Sequence, residues 1–417
     1  PNLNRAINKI TMGDGSVKFV EQNLLNTDLT LNLSQNIPWT GGSLFLETSA
    51  QRMDLFSEHK YSWQTSPIMI GYRQSLFGYN SLKWDKRIEP VRYQEAKKSY
   101  VETLELVSAN AINKFFALAT AQSNYDIASF NYANADTLYR YAQGRYNIGT
   151  ITENEMLQLE LNRLTEETNR MNARIEMDNC MQELRSYLGI QEEREIRVRV
   201  SSRIPDFSIN LNEALALAYE NSPDIQTMKR RKLESESAVA RARANAGLKA
   251  DIYLRFGLTQ TADKLPEAYR NLLDQQYVSL SISLPILDWG RGKGQVRVAR
   301  SNRDLVYTQV EQNRTDFELN VRKLVKQFNL QTQRVRIAAR TDETAQRRSE
   351  VARKLYLLGK STILDLNASI SEKDSARRNY ISALYNYWSL YYTLRSMTLY
   401  DFERNTMLTE DYHLLIE

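Results

Sequence analysis

Apolar residues recur at intervals of three and four over long stretches of this chain. Tyr100, Leu104, Val107, Ala111, Phe115 and Leu118 form one such series. Leu157, Leu161, Leu164, Thr168, Met171 and Ile175 follow the same steps, and Ile381, Leu384, Trp388 and Tyr391 form a third series. This spacing is the heptad pattern of packed, supercoiling helices. Residues 91–143, 150–188, 295–358 and 360–417 contain neither glycine nor proline. Such runs far exceed the mean helix of about 11–12 residues. The run 295–358 as one helix would be about 95 Å long. The other faces carry Arg, Gln, Asn, Glu and Thr. A narrow apolar seam beside a broad wet side predicts a coiled coil or a hollow barrel of helices. A compact four-helix core needs a wider apolar stripe.

A second periodicity, of two, appears in short segments. Residues 29–33 read Leu-Thr-Leu-Asn-Leu, 43–47 Ser-Leu-Phe-Leu-Glu, and 68–75 Ile-Met-Ile-Gly-Tyr-Arg-Gln-Ser. Ile252, Leu254, Phe256 and Leu258 share one face of a strand, with Tyr253, Arg255 and Gly257 on the other. Val278, Leu280, Ile282 and Leu284 alternate with three serines. Strands greasy on one face and polar on the other suit a soluble sheet on a core. They suit equally a barrel with lipid outside and water inside, and the pattern alone does not choose.

The two halves match at an offset of 210 residues. Leu184, Arg185 and Ser186 recur as Leu394, Arg395 and Ser396. The junction LFGYN (76–80) lines up with ILDWG (286–290), and YNIG (146–149) with YLLG (356–359). Each half therefore reads as strand pair, very long helix, glycine turn, long helix. A repeat this long points to gene duplication rather than a solenoid. Two strands per half give four per chain, too few to close a barrel and with exposed edges. Several chains sharing one barrel would remove both difficulties.

Charge and candidate chemistry narrow the function classes. The 417 residues carry 55 basic and 50 acidic side chains, a net of +5, with both signs interleaved, as in Arg334, Arg336, Asp342 and Glu343. That describes solvated helix faces, not a nucleic-acid stripe. The 24 tyrosines suit surfaces half wet and half apolar. A single cysteine, Cys180, excludes an intrachain disulfide and a cysteine-based metal site. His59 and His413 are far apart, and no nucleophile constellation or phosphate loop appears, so neither an enzyme nor a cofactor is expected. No run approaches the roughly 20 apolar residues of a membrane helix, so membrane contact would have to be through a β-barrel.

Four motifs, in order on this duplicated frame, resemble the TolC family of outer-membrane efflux proteins. They are LNEALALAYENSPDI (211–225), SLPILDWG (283–290), RYNIGTIT (145–152) and YLLGKSTILDLNA (356–368). The resemblance covers nearly the whole chain. It implies a mainly α protomer with a transmembrane β-barrel: helical hairpins forming an α-barrel, and four strands per protomer contributed to a trimeric 12-stranded barrel. On that reading residues 1–80 hold an N-terminal segment and the first strand pair. The first periplasmic hairpin covers 81–190, an equatorial linker 191–210, and a lead-in helix 211–247. The second strand pair follows at 248–290, the second hairpin at 291–399, and an equatorial C-terminal segment at 400–417.

The resemblance further implies a cell outer-membrane location extending into the periplasm. The expected partners are two further copies of the chain, outer-membrane lipid, a periplasmic adaptor (membrane fusion protein) and an inner-membrane transporter. Nucleic acid is not among them. The function implied is a passive exit duct of a tripartite efflux pump or type I secretion system for drugs, small molecules or proteins. A non-transporting envelope coiled-coil scaffold is the rival, and it leaves the repeated strand pairs unexplained. The family's opening helix has no counterpart in residues 1–27. The chain is therefore read as starting after that helix and any signal or lipid-attachment cysteine, with its N-terminus near the barrel base. Residues 1–39 are read as an insertion there.

Site expectations follow from the same resemblance. Gly149 and Gly359 match hairpin-tip turns. Glu155 and Asp365, six residues after them, match acidic tip positions. Tyr356 matches a gate tyrosine. The family's basic gate residue falls on Ser361, leaving Lys360 beside it as the substitute. Three Asp365 carboxylates around a threefold axis would favour cations in a narrow pore. The plainer reading is an acid that complements its own helix dipole. Trp63, Tyr72, Phe77, Tyr79, Trp84, Tyr277 and Trp289 are candidates for membrane-interface girdles.

Overall fold

A computed structural model describes residues 1–13, 15–56, 58–192, 194–201, 204–358 and 360–408. The chain divides into two units. The first comprises Pro1–Tyr93 and Thr227–Glu311, the second Gln94–Gln226 and Gln312–Glu417.

The first unit is built on a sheet of six antiparallel strands in chain order: β1 (Asn2–Thr11), β2 (Val17–Ile37), β3 (Gly42–Leu55), β4 (Lys60–Ser75), β5 (Lys249–Ala262) and β6 (Leu273–Ser283). The two expected strand pairs are β3–β4 and β5–β6, and among the described residues this sheet holds two further strands, β1 and β2. The additional pair comes from residues 1–37, expected as an insertion. β1 and the start of β2 escape a search for alternation because neither face is consistently apolar: Asn4, Arg5 and Lys9 sit among Leu3 and Ile7, which are themselves exposed. The N-terminus is also placed differently. Asn2 pairs with Asn26, which pairs with Met53 near the β3–β4 turn, whereas the barrel base is the end where strands pass into helices. No helix forms among the described residues of 1–27.

The sheet has two unlike faces. Register aligns Leu33, Leu46, Ile70 and Phe256 in one row, and Leu44, Tyr72, Leu254 and Val278 in the next. Leu46, Ile70, Val278, Leu280 and Ile282 on this face are exposed. The opposite face carries Arg255 paired with Glu47 at 3.9 Å. There Tyr253 stacks on Phe45 at 5.8 Å, meets Tyr277 edge-on at 5.8 Å, and lies under Arg73. Gly71 makes room for that stack, since a Cβ on it would fall 2.1 Å from the Phe45 ring.

Two of the helices are longer than their glycine-free and proline-free runs. α1 (Ser81–Asn147) and α5 (Arg291–Leu357) each have 67 residues. They start at 81 and 291 and end at 147 and 357, so the 210-residue offset holds at both ends. Pro90 sits inside α1, and Gly292 and Gly294 in the first turn of α5. Asp288 caps the start of α5, its carboxylate accepting from Gly290 N–H at 3.0 Å and from Gly292 N–H at 2.7 Å. α2 (Glu153–Tyr187) and α6 (Ile363–Thr398) are the returning arms. The lead-in expected over 211–247 is two helices, α3 (Leu211–Asn221) and α4 (Pro223–Ala246). Asn210 caps α3 through its side-chain oxygen, and Ser222 takes an extended backbone conformation before Pro223, as a residue preceding proline prefers.

In the second unit the heptad series have different fates. Ile381, Leu384 and Tyr391 of α6 are buried, and Tyr391 packs against Phe207 and Phe328, the latter also meeting Tyr387. On α2, Leu157, Leu161, Leu164, Met171 and Ile175 are all exposed in the protomer, while its buried contacts come from Met177 and Leu184. The described residues of 191–210 form no helix or strand and contact the helices. Ile196 and Val198 pack on the Leu118, Met177 and Leu184 cluster, and Pro205 accepts a hydrogen bond from the Tyr387 hydroxyl. After α6, β7 (Tyr400–Asp401) and β8 (Thr406–Met407) form a small hairpin.

Candidate functional site

The ends of the two helical hairpins are built alike, and each feature follows from its residues. At the end of α1, Gly149 takes φ +73°. Its N–H donates to Tyr146 O, and the N–H of Thr150 donates to Arg145 O, 2.9 Å each. These two bonds form a Schellman cap, which requires a left-handed residue at the position Gly149 occupies. At the end of α5 the equivalent outer bond runs from Lys360 N–H to Leu355 O at 2.9 Å. Gly359 lies outside the described residues. Nothing stands within 4 Å of a Cβ placed on Gly149, so Gly149→Ala meets backbone strain alone. We expect a loss of about 1–2 kcal/mol, read as a lower urea midpoint. An unchanged midpoint would show that the turn does not hold this geometry in solution.

The returning helices begin with matched capping boxes. Thr152 caps α2, its hydroxyl accepting from Glu155 N–H at 3.2 Å, while the Glu155 carboxylate accepts from Thr152 N–H at 3.0 Å. Thr362 caps α6, its hydroxyl accepting from Asp365 N–H at 3.2 Å and donating to the Asp365 carboxylate at 2.8 Å. The Asp365 carboxyl is held below the usual carboxylate range, first by the Thr362 hydroxyl, then by Thr362 N–H and the Ser361 hydroxyl. Glu155, Asp365 and Lys360 are exposed on the protomer. Tyr356 is half-buried and lines a cavity of about 830 Å³ between the hairpins.

That cavity brings together residues the sequence reading did not single out. Asp342, nearly buried, accepts from Arg377 and Gln346 at 3.1 Å each. Outside the cavity lining, Asp374 accepts from Asn131 at 2.8 Å and faces Lys373 at 3.3 Å. Further along α6, Arg395 joins Glu105 and Asp401. The only sequence signal for Arg395 was its place in the repeated Leu-Arg-Ser triplet. Of the girdle candidates, Tyr277 joins the polar-face stack and Tyr79 hydrogen-bonds Ser237 at 2.5 Å. Trp289 is the most exposed of the large apolar side chains, with φ +51°. No helix among the described residues is long and apolar enough to cross a membrane, and no acidic, His or Cys cluster there has the makings of a metal site.

The first unit carries a sheet with one bare apolar face, and the second carries duplicated helical hairpins. Residues 214–398 match the family described as outer membrane efflux protein. That region is similar to the TolC-type family that the motifs of the sequence resemble. The fold is similar to the Campylobacter jejuni CmeC outer membrane channel, with 15% identity and a TM-score of 0.66 over 95% of this chain and 80% of that one. It is similar to CusC, described for conformational changes accompanying transmembrane channel formation, at 13% identity and TM-score 0.62 over 90% and 83%. The Vibrio cholerae outer membrane protein VceC gives 14% and 0.61 over 90% and 86%. No curated protein sequence matches the chain.

Proposed function

We propose that this chain is the outer-membrane duct of a tripartite efflux pump or type I secretion system, working as a homotrimer. The observation that carries this is the exposed apolar face of the sheet. Leu46, Ile70, Val278, Leu280 and Ile282 lie bare on one side and a polar, charged lining on the other, the arrangement of lipid outside and water inside. The uncovered apolar stripe of α2 supports assembly. Leu157, Leu161, Leu164, Met171 and Ile175 are spaced for a helix partner that the protomer does not provide, and a second copy supplies one. The hairpins then reach into the periplasm toward an adaptor and an inner-membrane transporter. A soluble scaffold has no use for the bare sheet face. The test is mass measurement in detergent followed by planar-bilayer recording. A trimer that conducts is expected, and a stable, non-conducting monomer overturns the reading.

In the trimer, Asp365 lines the tip of the duct and sets cation preference, with Glu155, Tyr356 and Lys360 closing the same end. The motivation is the twofold-repeated tip geometry together with the position of Asp365 six residues after Gly359. Asp365→Asn keeps the side chain's size and a hydrogen-bonding oxygen while removing charge. The expected result is weaker cation selectivity and weaker block by multivalent cations, with the fold intact. Unchanged selectivity would leave Asp365 as a helix cap only.

A further inference from the structure

The face of the sheet opposite the apolar one is not uniformly polar. β6 gives it Ser279, Ser281 and Ser283, small hydroxyl groups that suit a water-filled lumen. Beside these serines three rings meet from three strands. Phe45 of β3 and Tyr253 of β5 stack at 5.8 Å with 23° between their planes. They reach each other across β4, where Gly71 leaves the space. Tyr277 of β6 meets Tyr253 edge-on at 5.8 Å and is 53% exposed, so much of its ring stays open. Arg73 of β4 holds its guanidinium 5.4 Å from the centre of the Tyr253 ring. The charges around the rings are unevenly matched. Glu47 has Arg255 at 3.9 Å, and Asp251 has Lys249 on the same face of β5. Arg73 is exposed and has no ion pair among the described residues.

Packing accounts for only part of this cluster. Filling the gap over Gly71 needs Phe45 alone, since its ring already occupies the place of a Cβ there. Tyr253, Tyr277 and Arg73 are left over. Together they offer an open aromatic surface for stacking and a cation without a counter-ion. A solute that is flat, aromatic and anionic uses both at once. An aromatic cation meets Arg73 as a like charge, and an aliphatic anion has no ring to stack.

We propose that Tyr253, Tyr277 and Arg73 form a binding site for aromatic anions on the lumen wall of the barrel, the solute's ring stacked on Tyr277 and its carboxylate or sulfonate paired with Arg73. The site is built within one chain, so each copy carries one. It stands close to the strand-to-helix end, as Arg73 is near the end of β4 and Tyr253 near the start of β5. One stacking contact and one water-exposed charge contact bind weakly, which lets a solute enter and leave a duct. The inference names a solute class for the duct and rests on the channel reading above.

The experiment is planar-bilayer recording of the detergent-extracted protein with 2-naphthalenesulfonate as the blocker. It should block the current at lower concentration than methanesulfonate, which has the charge without the ring. Tyr277→Ser and Arg73→Gln should each weaken the naphthalenesulfonate block about three- to tenfold, the range one aromatic contact supplies. Tyr277→Phe should keep it. Equal block by the two sulfonates, or a block that neither Tyr277→Ser nor Arg73→Gln changes, overturns the inference and leaves the channel reading standing. So does a block by 2-naphthylmethylammonium that Tyr277→Ser weakens as strongly, because the site then has no preference for anions. A parent protein that does not conduct brings down both readings. Tyr277 and Arg73 lie on different strands, so if one variant fails to insert the other carries the same test.

Discussion

Arg395→Ala should cost about 3–5 kcal/mol, the loss expected when one partner of a buried charge pair is removed. The Arg395 side chain is 16% exposed and its acidic partners less: Glu105 10% and Asp401 6%. Arg395 contacts Glu105 at 2.9 and 3.0 Å and Asp401 at 3.1 Å. Its guanidinium also lies over the rings of Tyr391 and Tyr392. Without it two carboxylates remain in a site with little water. Asp401 keeps the Tyr391 hydroxyl at 2.6 Å and the Glu403 and Arg404 N–H groups. Glu105 is the more exposed to the loss, since Arg395 is its ion-pair partner. A Glu105→Gln, Arg395→Met double variant should recover part of the stability, because no unpaired charge stays behind at Glu105.

The pH dependence has a definite sign. Burial acts against the Asp401 carboxylate, but the Tyr391 hydroxyl, the Arg404 and Glu403 N–H groups and Arg395 outweigh it, so its folded-state pKa lies below the usual value. A depressed carboxyl contributes stability above its unfolded pKa, near 3.9, and loses it as pH falls through the folded value. Arg395→Ala removes part of that downward pull, so acid unfolding should begin at higher pH than in the parent. Urea midpoints from neutral pH down to about 2 check both points. Equal midpoints for parent and Arg395→Ala would show that the network is solvated in solution.

The long helices and their duplication were legible because glycine and proline punctuate a chain otherwise free of helix breakers. The offset of 210 residues, read from fragments such as Leu184 and Leu394, holds at both ends of α1 and α5. Where a seam goes was not legible. The α2 series with Leu161 and the α6 series with Leu384 have the same spacing, yet one is bare and the other is core. Spacing records that a partner exists, not whether it lies in the same chain. β1 was hidden for a related reason. A strand wet on both faces has no alternation, and only its backbone pairing with β2 reveals it. The tip acids were found by position, but their capping geometry was also open to inspection, since Thr152 and Thr362 stand three residues ahead of Glu155 and Asp365. The Arg395 network was out of reach, because Glu105 lies 290 residues away.

Leu280→Arg should be among the most damaging single changes on the sheet, costing about 2–4 kcal/mol, as an arginine does facing the middle of a bilayer. Leu280 lies within β6, opposite Ile252, between Val278 and Ile282 on the apolar face, and is 62% exposed in the protomer. In water an arginine at such an exposed position would be nearly neutral, so the size of the effect reports the solvent on that side. Ser281→Arg, one residue on, reverses the exposure. Ser281 faces the same side as Tyr253 and Arg255, where a charge meets water and other polar groups. It should leave folding almost unchanged and alter conductance instead. Folding yield in lipid bilayers and single-channel current measure the pair. Loss of folding for Leu280→Arg with altered current for Ser281→Arg is the expected outcome. If Leu280→Arg folds as well as the parent, the apolar face meets water or another protein rather than lipid, and the barrel reading fails at its foundation.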